Sequence, residues 1–265
     1  MISSTTTTNK CAACGFQSMC LAGGLDDSNL GKMDDMVGRR RRVARDERLY
    51  RLGQPFTHLY AVHFGHFKTV QVDRRGQQQI TGFMMAGELL GMDAIASARH
   101  ASDAVALEDS EVCEIPFARL EQMLVEQPEL LKHFHRLMSQ EILREQSMML
   151  SLGNMRAEQR LAMFLQNLAS RYAARGYSGS RFQLRMSRED IGGYLGLTIE
   201  SISRLLARFR KNGWIKLDNR DIELLDRTSL EALAAGLTVE TEAATDMAPA
   251  MQKRSSHVIP IRAAA

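Results

Sequence analysis

Cysteine is scarce in this chain: four occur in 265 residues. Three of them, Cys11, Cys14 and Cys20, crowd into "KCAACGFQSMC", and Cys113 stands alone in "SEVCEIPF". Long apolar runs are missing too. Nothing approaches the ~18–20 residues that a membrane span needs, so no membrane partner is expected. The opening "MISSTTTTNK" has no apolar stretch, which predicts no secretory signal and a cytoplasmic location. Thiols stay reduced in that compartment, so metal or redox chemistry is a better use of these cysteines than disulfides. A strong charge of one sign is also absent: 34 Lys and Arg against 31 Asp and Glu leave a net +3, and the whole chain is not a polycation. No nucleophile–base pair or paired carboxylates suggest an active site, so the chain reads as a non-enzyme.

What is present is ordinary for a globular protein, with 45% hydrophobic and 25% charged residues and length enough for two domains. Residues 1–8 are rich in Ser and Thr and are expected to be disordered. From Leu49 to Ile115 short β-branched and aromatic segments alternate with Gly53, Gly65, Gly76, Gly82, Gly87 and Gly91, the pattern of a β-roll or jelly roll. The period then becomes helical. Leu131, Met138, Ile142, Met149 and Leu152 form a stripe, and neither glycine nor proline interrupts residues 129–152. The stripe suits either the helix's own domain core or a two-stranded coiled coil between subunits. The basic stretch "GRRRRVARDERLYR" at 38–51 could suggest nucleic acid, but reads rather as a solvated edge or a partner for the acidic residues 26–35. The histidines show no metal-ligand spacing. The text after Val239 has no sustained period and reads as a disordered tail.

The most specific constellation is "RMSREDIGGYLGLTIESISRLLARFRKNGWIKLDNRDIELLD". Ser187 and Asp190 resemble a capping box, Gly196 provides a stop, and Thr198 caps a second helix to about Lys211. Ile202, Leu205, Leu206 and Phe209 make that helix's buried stripe. This is a helix-turn-helix whose second helix enters the major groove N-terminus first, followed by a β-wing. Between Arg181 and Lys211 seven basic residues face three acidic ones, a local excess that suits a phosphate backbone. Arg204 can fork to guanine, Glu200 can accept from a cytosine amino group, and Ser203 is adaptable. Thr198, Ser201, Arg208 and Lys211 are the candidate phosphate contacts.

A β-roll with spaced glycines, a long helix and a winged helix-turn-helix, in that order, resemble the cyclic-AMP receptor protein superfamily. The segments "QITGFMMAGELLGMDAI", "VCEIPF" and "REDIGGYLGLTIESISRLLARF" resemble its FNR branch, the fumarate-and-nitrate-reduction type. The resemblance implies an α+β chain with five parts. These are a cluster-binding segment at 1–30, a cyclic-nucleotide-binding-like β-roll at 31–128 and a dimerisation helix at 129–153. A winged helix-turn-helix at 154–238 and the tail at 239–265 complete it. It also implies an oxygen-labile [4Fe–4S] cluster on Cys11, Cys14, Cys20 and Cys113, and a homodimer joined through Met138, Ile142, Glu145, Met149 and Leu152. The dimer would read TTGAT-like inverted repeats in double-stranded DNA through Glu200, Ser203 and Arg204. RNA polymerase would be a partner, and genes of anaerobic metabolism the targets.

The cysteines alone also allow a zinc site or a thiol redox switch. Cyclic-AMP-binding relatives carry Arg-Ser or Arg-Thr followed by Ala shortly after Gly-Glu-Leu. Here "GELL" is followed by "SARHASDAVAL", where His100 and Ala101 separate Arg99 from Ser102, so no cyclic-AMP response is expected. Glu145 interrupts the apolar stripe; if it faces its two-fold mate, it opposes dimerisation.

Overall fold

The computed structural model describes residues 11–37, 40–72 and 76–237. The expectations for residues 1–8 and for the tail after Val239 lie outside the described residues.

Three 3-10 turns, Cys11–Ala13, Gln17–Met19 and Leu21–Gly24, lead into helix α1 (Asp27–Val37). The β-roll follows as β1 (Arg40–Val43), β2 (Arg48–Tyr50), β3 (His58–Phe64), β4 (His66–Val72), β5 (Gln78–Met85), β6 (Leu89–Leu90), β7 (Asp103–Ala106) and β8 (Ser110–Pro116). Its strands form two sheets, ordered β1-β8-β3-β6 and β2-β7-β4-β5. Alternation along β3 explains its continuous apolar text. Tyr60 and Val62 turn inward with Val112 to meet Tyr50, Phe67 and Met84 between the sheets. Leu59, Ala61 and Ile115 turn outward, where α1 and the following helices cover them. A strand buried on both faces has no polar side to show. At the β3–β4 turn Gly65 has φ +88°, and an added Cβ would lie 2.1 Å from Ser110 Oγ, so only glycine fits.

The basic run has become β1. Arg40 and Arg42 pair with Glu111, and Arg41 with Glu47 and Glu114. The acids it meets come from β8 and the β1–β2 turn, not from residues 26–35. Arg42, with 92% of its side chain exposed, is the solvated edge that was expected.

Helices α2 (Phe117–Glu126) and α3 (Pro128–Asn154) leave the roll. Pro128 at the first helical position gives up no hydrogen bond. The first half of α3 belongs to the domain core, with Leu130 and Phe134 buried. The second half exposes Ile142, Leu143, Met149, Leu150 and Leu152. The core reading therefore holds for the first half, and the second half presents apolar residues that the described residues leave uncovered.

The C-terminal unit contains α4 (Ala157–Ala174), β9 (Arg181–Gln183), α5 (Arg188–Leu195), α6 (Ile199–Lys211), β10 (Ile215–Asp218), β11 (Asp221–Leu224) and α7 (Arg227–Ala234). Strands pair in the order β10-β11-β9 as the wing. Ser187 accepts from Asp190 N–H at 3.0 Å and Asp190 accepts from Ser187 N–H at 2.9 Å, closing the capping box. Gly196 ends α5 at φ +62°. Lys68 Nζ meets Asp190 Oδ1 at 2.6 Å and ties this unit to the roll.

Candidate cysteine site and DNA interface

The N-terminal turns wind the chain so that its thiols face the roll. Cys14 N–H donates to Cys11 C=O at 3.0 Å, and Cys20 N–H to Phe16 C=O at 3.0 Å. Buried Leu21 and Ala22 anchor the segment, and Cys11 N–H donates to Asp34 of α1 at 2.5 Å. Cys113 sits mid-strand on β8, with Arg40 opposite on β1 and Ala61 opposite on β3. All four cysteines are unbridged and half-buried, and all line one small apolar cavity of about 30 Å³ with Leu21, Met33, Ala61 and Ile115. Among the described residues, no three of His, Cys, Asp or Glu close on a single point as one metal ion requires.

Burial pushes the Cys20 thiol up to about 12. Burial, then Asp34, pushes Cys11 up as well. Cys113 is also raised by burial, with Arg40 pulling against it. Without a compensating positive charge, Cys11, Cys20 and Cys113 stay protonated at neutral pH.

The segment also touches α3. His133 is buried, its Nε2 donates to Cys20 C=O at 2.9 Å, and its Nδ1 accepts from Arg136 at 2.5 Å. Those partners fix one neutral tautomer. Burial holds His133 below its usual range, which agrees. Gly24 lies against the same ring, where an added Cβ would stand 2.5 Å from His133 Cβ. Nothing in the apolar periodicity marked His133 as a junction.

On α6, Glu200 and Arg204 are exposed and Ser203 is half-buried, on the side opposite buried Ile202, Leu206 and Phe209. Glu200's own backbone N–H, and then the Thr198 hydroxyl, hold its carboxyl below the usual range. Thr198 caps α6 by accepting from Ser201 N–H at 3.2 Å, and its hydroxyl donates to Ser201 Oγ at 3.1 Å. Ser203 Oγ accepts from Arg188 at 3.3 Å, so α5 contributes a residue that the sequence reading did not single out. Arg208 is paired with Glu158 of α4. Lys211 stands exposed at the helix end.

Behind β6 lies a polar cavity lined by Tyr50, Thr69, Asp93, Ser102, Glu141 and Glu145. Several of its polar groups are already paired. Asp93 accepts from Ala101 N–H and Ser102 Oγ, each at 2.9 Å. Arg99 donates to Gly53 C=O at 2.8 Å, and His100 stacks on Tyr50 with ring centres 3.7 Å apart.

Residues 40–127 match the cyclic nucleotide-binding domain and residues 159–233 the Crp-like helix-turn-helix domain. The transcriptional regulatory protein btr of Bordetella pertussis is 46% identical, over 84% of this chain and 92% of its own. The chain belongs to the CRP/FNR family. The fumarate and nitrate reduction regulatory protein of Escherichia coli is 42% identical over 84% of this chain and 90% of its own. Among solved structures, FixK2 from Bradyrhizobium japonicum aligns with a TM-score of 0.69 at 28% identity, covering 74% of this chain and 96% of its own. As a CRP/FNR protein the chain is a DNA-binding transcription regulator and not an enzyme. No helix among the described residues is long and apolar enough to cross a membrane.

Proposed function

We propose that this CRP/FNR regulator senses oxygen through a [4Fe–4S] cluster held by Cys11, Cys14, Cys20 and Cys113. One observation carries the reading: four thiols, three from the N-terminal turns and one from the distant strand β8, line a single cavity. The donor set fits such a group. Thiolates are the soft ligands that iron–sulfur clusters use, and the buried Arg40 Nε on the same wall has no hydrogen-bond partner among the described residues. When bound, the cluster supplies oxygen-labile iron. The chain's residues do the rest. The thiols give up their protons on ligation, which apolar surroundings allow only against positive charge. His133 then links Cys20 to α3, so the position of the loop bears on the helix whose outer half is uncovered.

Dimerisation would bury Ile142, Met149 and Leu152, extend the seam begun by half-buried Met138, and present two α6 helices one DNA turn apart. Such a dimer would read TTGAT-like inverted repeats through Glu200, Ser203 and Arg204, at promoters of anaerobic metabolism, with RNA polymerase as partner. Thr198, Ser201, Arg208 and Lys211 would hold phosphates, and Arg208 would exchange Glu158 for DNA. The cavity behind β6 would not answer to cyclic AMP, because Asp93 already takes the donors that a cyclic phosphate would need.

Protein purified without oxygen is expected to be brown, to contain iron and sulfide, and to bleach in air. Cys113→Ser should abolish the colour as fully as Cys14→Ser. A colourless protein containing zinc would overturn the reading. A second expectation concerns Glu145, which is exposed in the single chain. Across a two-fold axis its carboxylate would meet its mate, so Glu145→Ala should tighten the dimer in air by about 1–2 kcal/mol, roughly tenfold. Sedimentation equilibrium measures this; equal monomer fractions in mutant and parent would remove Glu145 from the interface.

A further inference from the structure

Among the described arginines of the basic run, Arg40 is the one that lines the cysteine cavity. The sheet register explains how. β1 runs antiparallel to β8 with Arg40 directly opposite Cys113, and Ala61 of β3 lies on the other side. His63, two residues on from Ala61, shares that outward face, as does Glu111, two residues before Cys113. Arg40 Nη1 lies 3.5 Å from Glu111 Oε1, and His63 Nε2 lies 4.0 Å from the same oxygen. His63 Nδ1 is 3.8 Å from Cys14 Sγ. Glu111 thus lies beside both Arg40 and His63.

The guanidinium is not fully used there. Arg40 Nε is buried and has no hydrogen-bond partner among the described residues. Buried donors in folded proteins are almost always paired, and an unpaired one carries a desolvation penalty. An orphan donor beside four thiols marks an acceptor that arrives with the bound group. Thiolate or sulfide sulfur is such an acceptor, and a charged donor makes the stronger bond.

We propose that Arg40, through Nε–H, and His63, through its ring N–H, are positioning residues that donate to the sulfurs at Cys113 and Cys14. Through those bonds they slow air oxidation of the bound cluster. The inference rests on the cluster reading above. Donors and positive charge near the sulfurs favour the more reduced, more negative form. Dioxygen is the electron acceptor in the reaction they retard.

The test uses the full chain purified without oxygen, diluted into air-saturated buffer and followed by visible absorbance. Arg40→Met should carry parent amounts of iron and sulfide yet bleach roughly fivefold faster, the scale of losing one charge-assisted hydrogen bond. Its reduction potential should move negative. Glu111→Gln removes the ion pair but keeps the donors, and should bleach at the parent rate. If Arg40 served only the ion pair, both variants would behave alike, and that result overturns the proposal. A loaded Arg40→Met protein bleaching at the parent rate overturns it too. Should Arg40→Met fail to load, Arg40→Lys decides: it keeps the charge without Nε–H, and a parent bleaching rate in it is equally fatal. A parent protein without iron and sulfide overturns the cluster reading itself, which the metal analysis distinguishes from failure of Arg40 alone.

Discussion

Glu88→Gln is expected to lower the unfolding free energy by about 3–5 kcal/mol, the usual loss when one partner of a buried ion pair is removed. Glu88 lies in "GELL" and gathers three cations. Arg171 donates to it at 3.1 and 2.6 Å, Arg175 at 2.7 Å, and Arg144 Nη2 stands 3.8 Å away. Arg144 comes from α3, Arg171 from α4 and Arg175 from the residue that caps α4, so one carboxylate joins the roll, the long helix and the DNA-binding unit. Arg175 has only 4% of its side chain exposed and cannot return to water when its partner is neutralised. For Arg171 the attraction of Glu88 outweighs burial and raises its affinity for its proton; for Arg175 burial wins and lowers it. Both stay charged, as guanidinium does in proteins. Burial alone would raise the Glu88 carboxyl, yet the three arginines bring it down to about 2 from its ordinary 4.5. Its contribution is therefore whole above pH 4.5 and drains away as pH falls toward 2, a matter of about 3 kcal/mol. Urea titrations followed by circular dichroism at several pH values measure both effects. In Glu88→Gln this acid-dependent loss should disappear. A mutant unfolding at the parent urea midpoint at pH 7 would show that the network contributes nothing net.

That network was invisible in the sequence, and the reason is physical. Arg171 and Arg175 stand one helical turn apart, but no periodicity relates them to Glu88 or Arg144. The helix-turn-helix was legible because its signals are local: Ser187 caps three residues ahead, Gly196 takes a left-handed turn, and Thr198 starts the next helix. The β-roll could be read from its glycines, but not its strand pairing. Register alone brings Arg40 beside Cys113, so a run that looked like a solvated edge supplies a wall of the cysteine cavity. The apolar stripe on α3 was correctly placed on one helix. Its division into a core half and an uncovered half depends on where the roll ends, which composition does not encode. His133 escaped for a related reason: one polar residue amid an apolar stripe looks the same whether it faces water or holds a distant carbonyl.

Arg204→Ala is expected to have the largest effect on DNA recognition. Arg204 stands exposed on α6, one turn beyond Glu200, and no hydrogen bond or ion pair to another side chain among those described ties it down. A bidentate arginine–guanine contact is worth about 1–3 kcal/mol of discrimination. A two-fold dimer makes the contact twice, so the loss on an inverted repeat is about 2–6 kcal/mol, or roughly 30- to 10⁴-fold in affinity. Arg208→Ala should behave differently. On the proposed reading it would remove a phosphate contact, so binding should weaken on specific and scrambled DNA alike, and the salt dependence should become shallower by roughly one unit per half-site. Its present ion pair with Glu158 reduces the net loss, because that pair must break before Arg208 reaches a phosphate. Titrations of cluster-loaded protein on both DNAs at several salt concentrations separate the two residues. If Arg204→Ala lost affinity equally on specific and scrambled DNA, Arg204 would be a backbone contact and base reading would have to rest on Glu200 and Ser203. Arg188, which already donates to Ser203 at 3.3 Å, would then become the next residue to change, since it holds a side chain proposed to read bases.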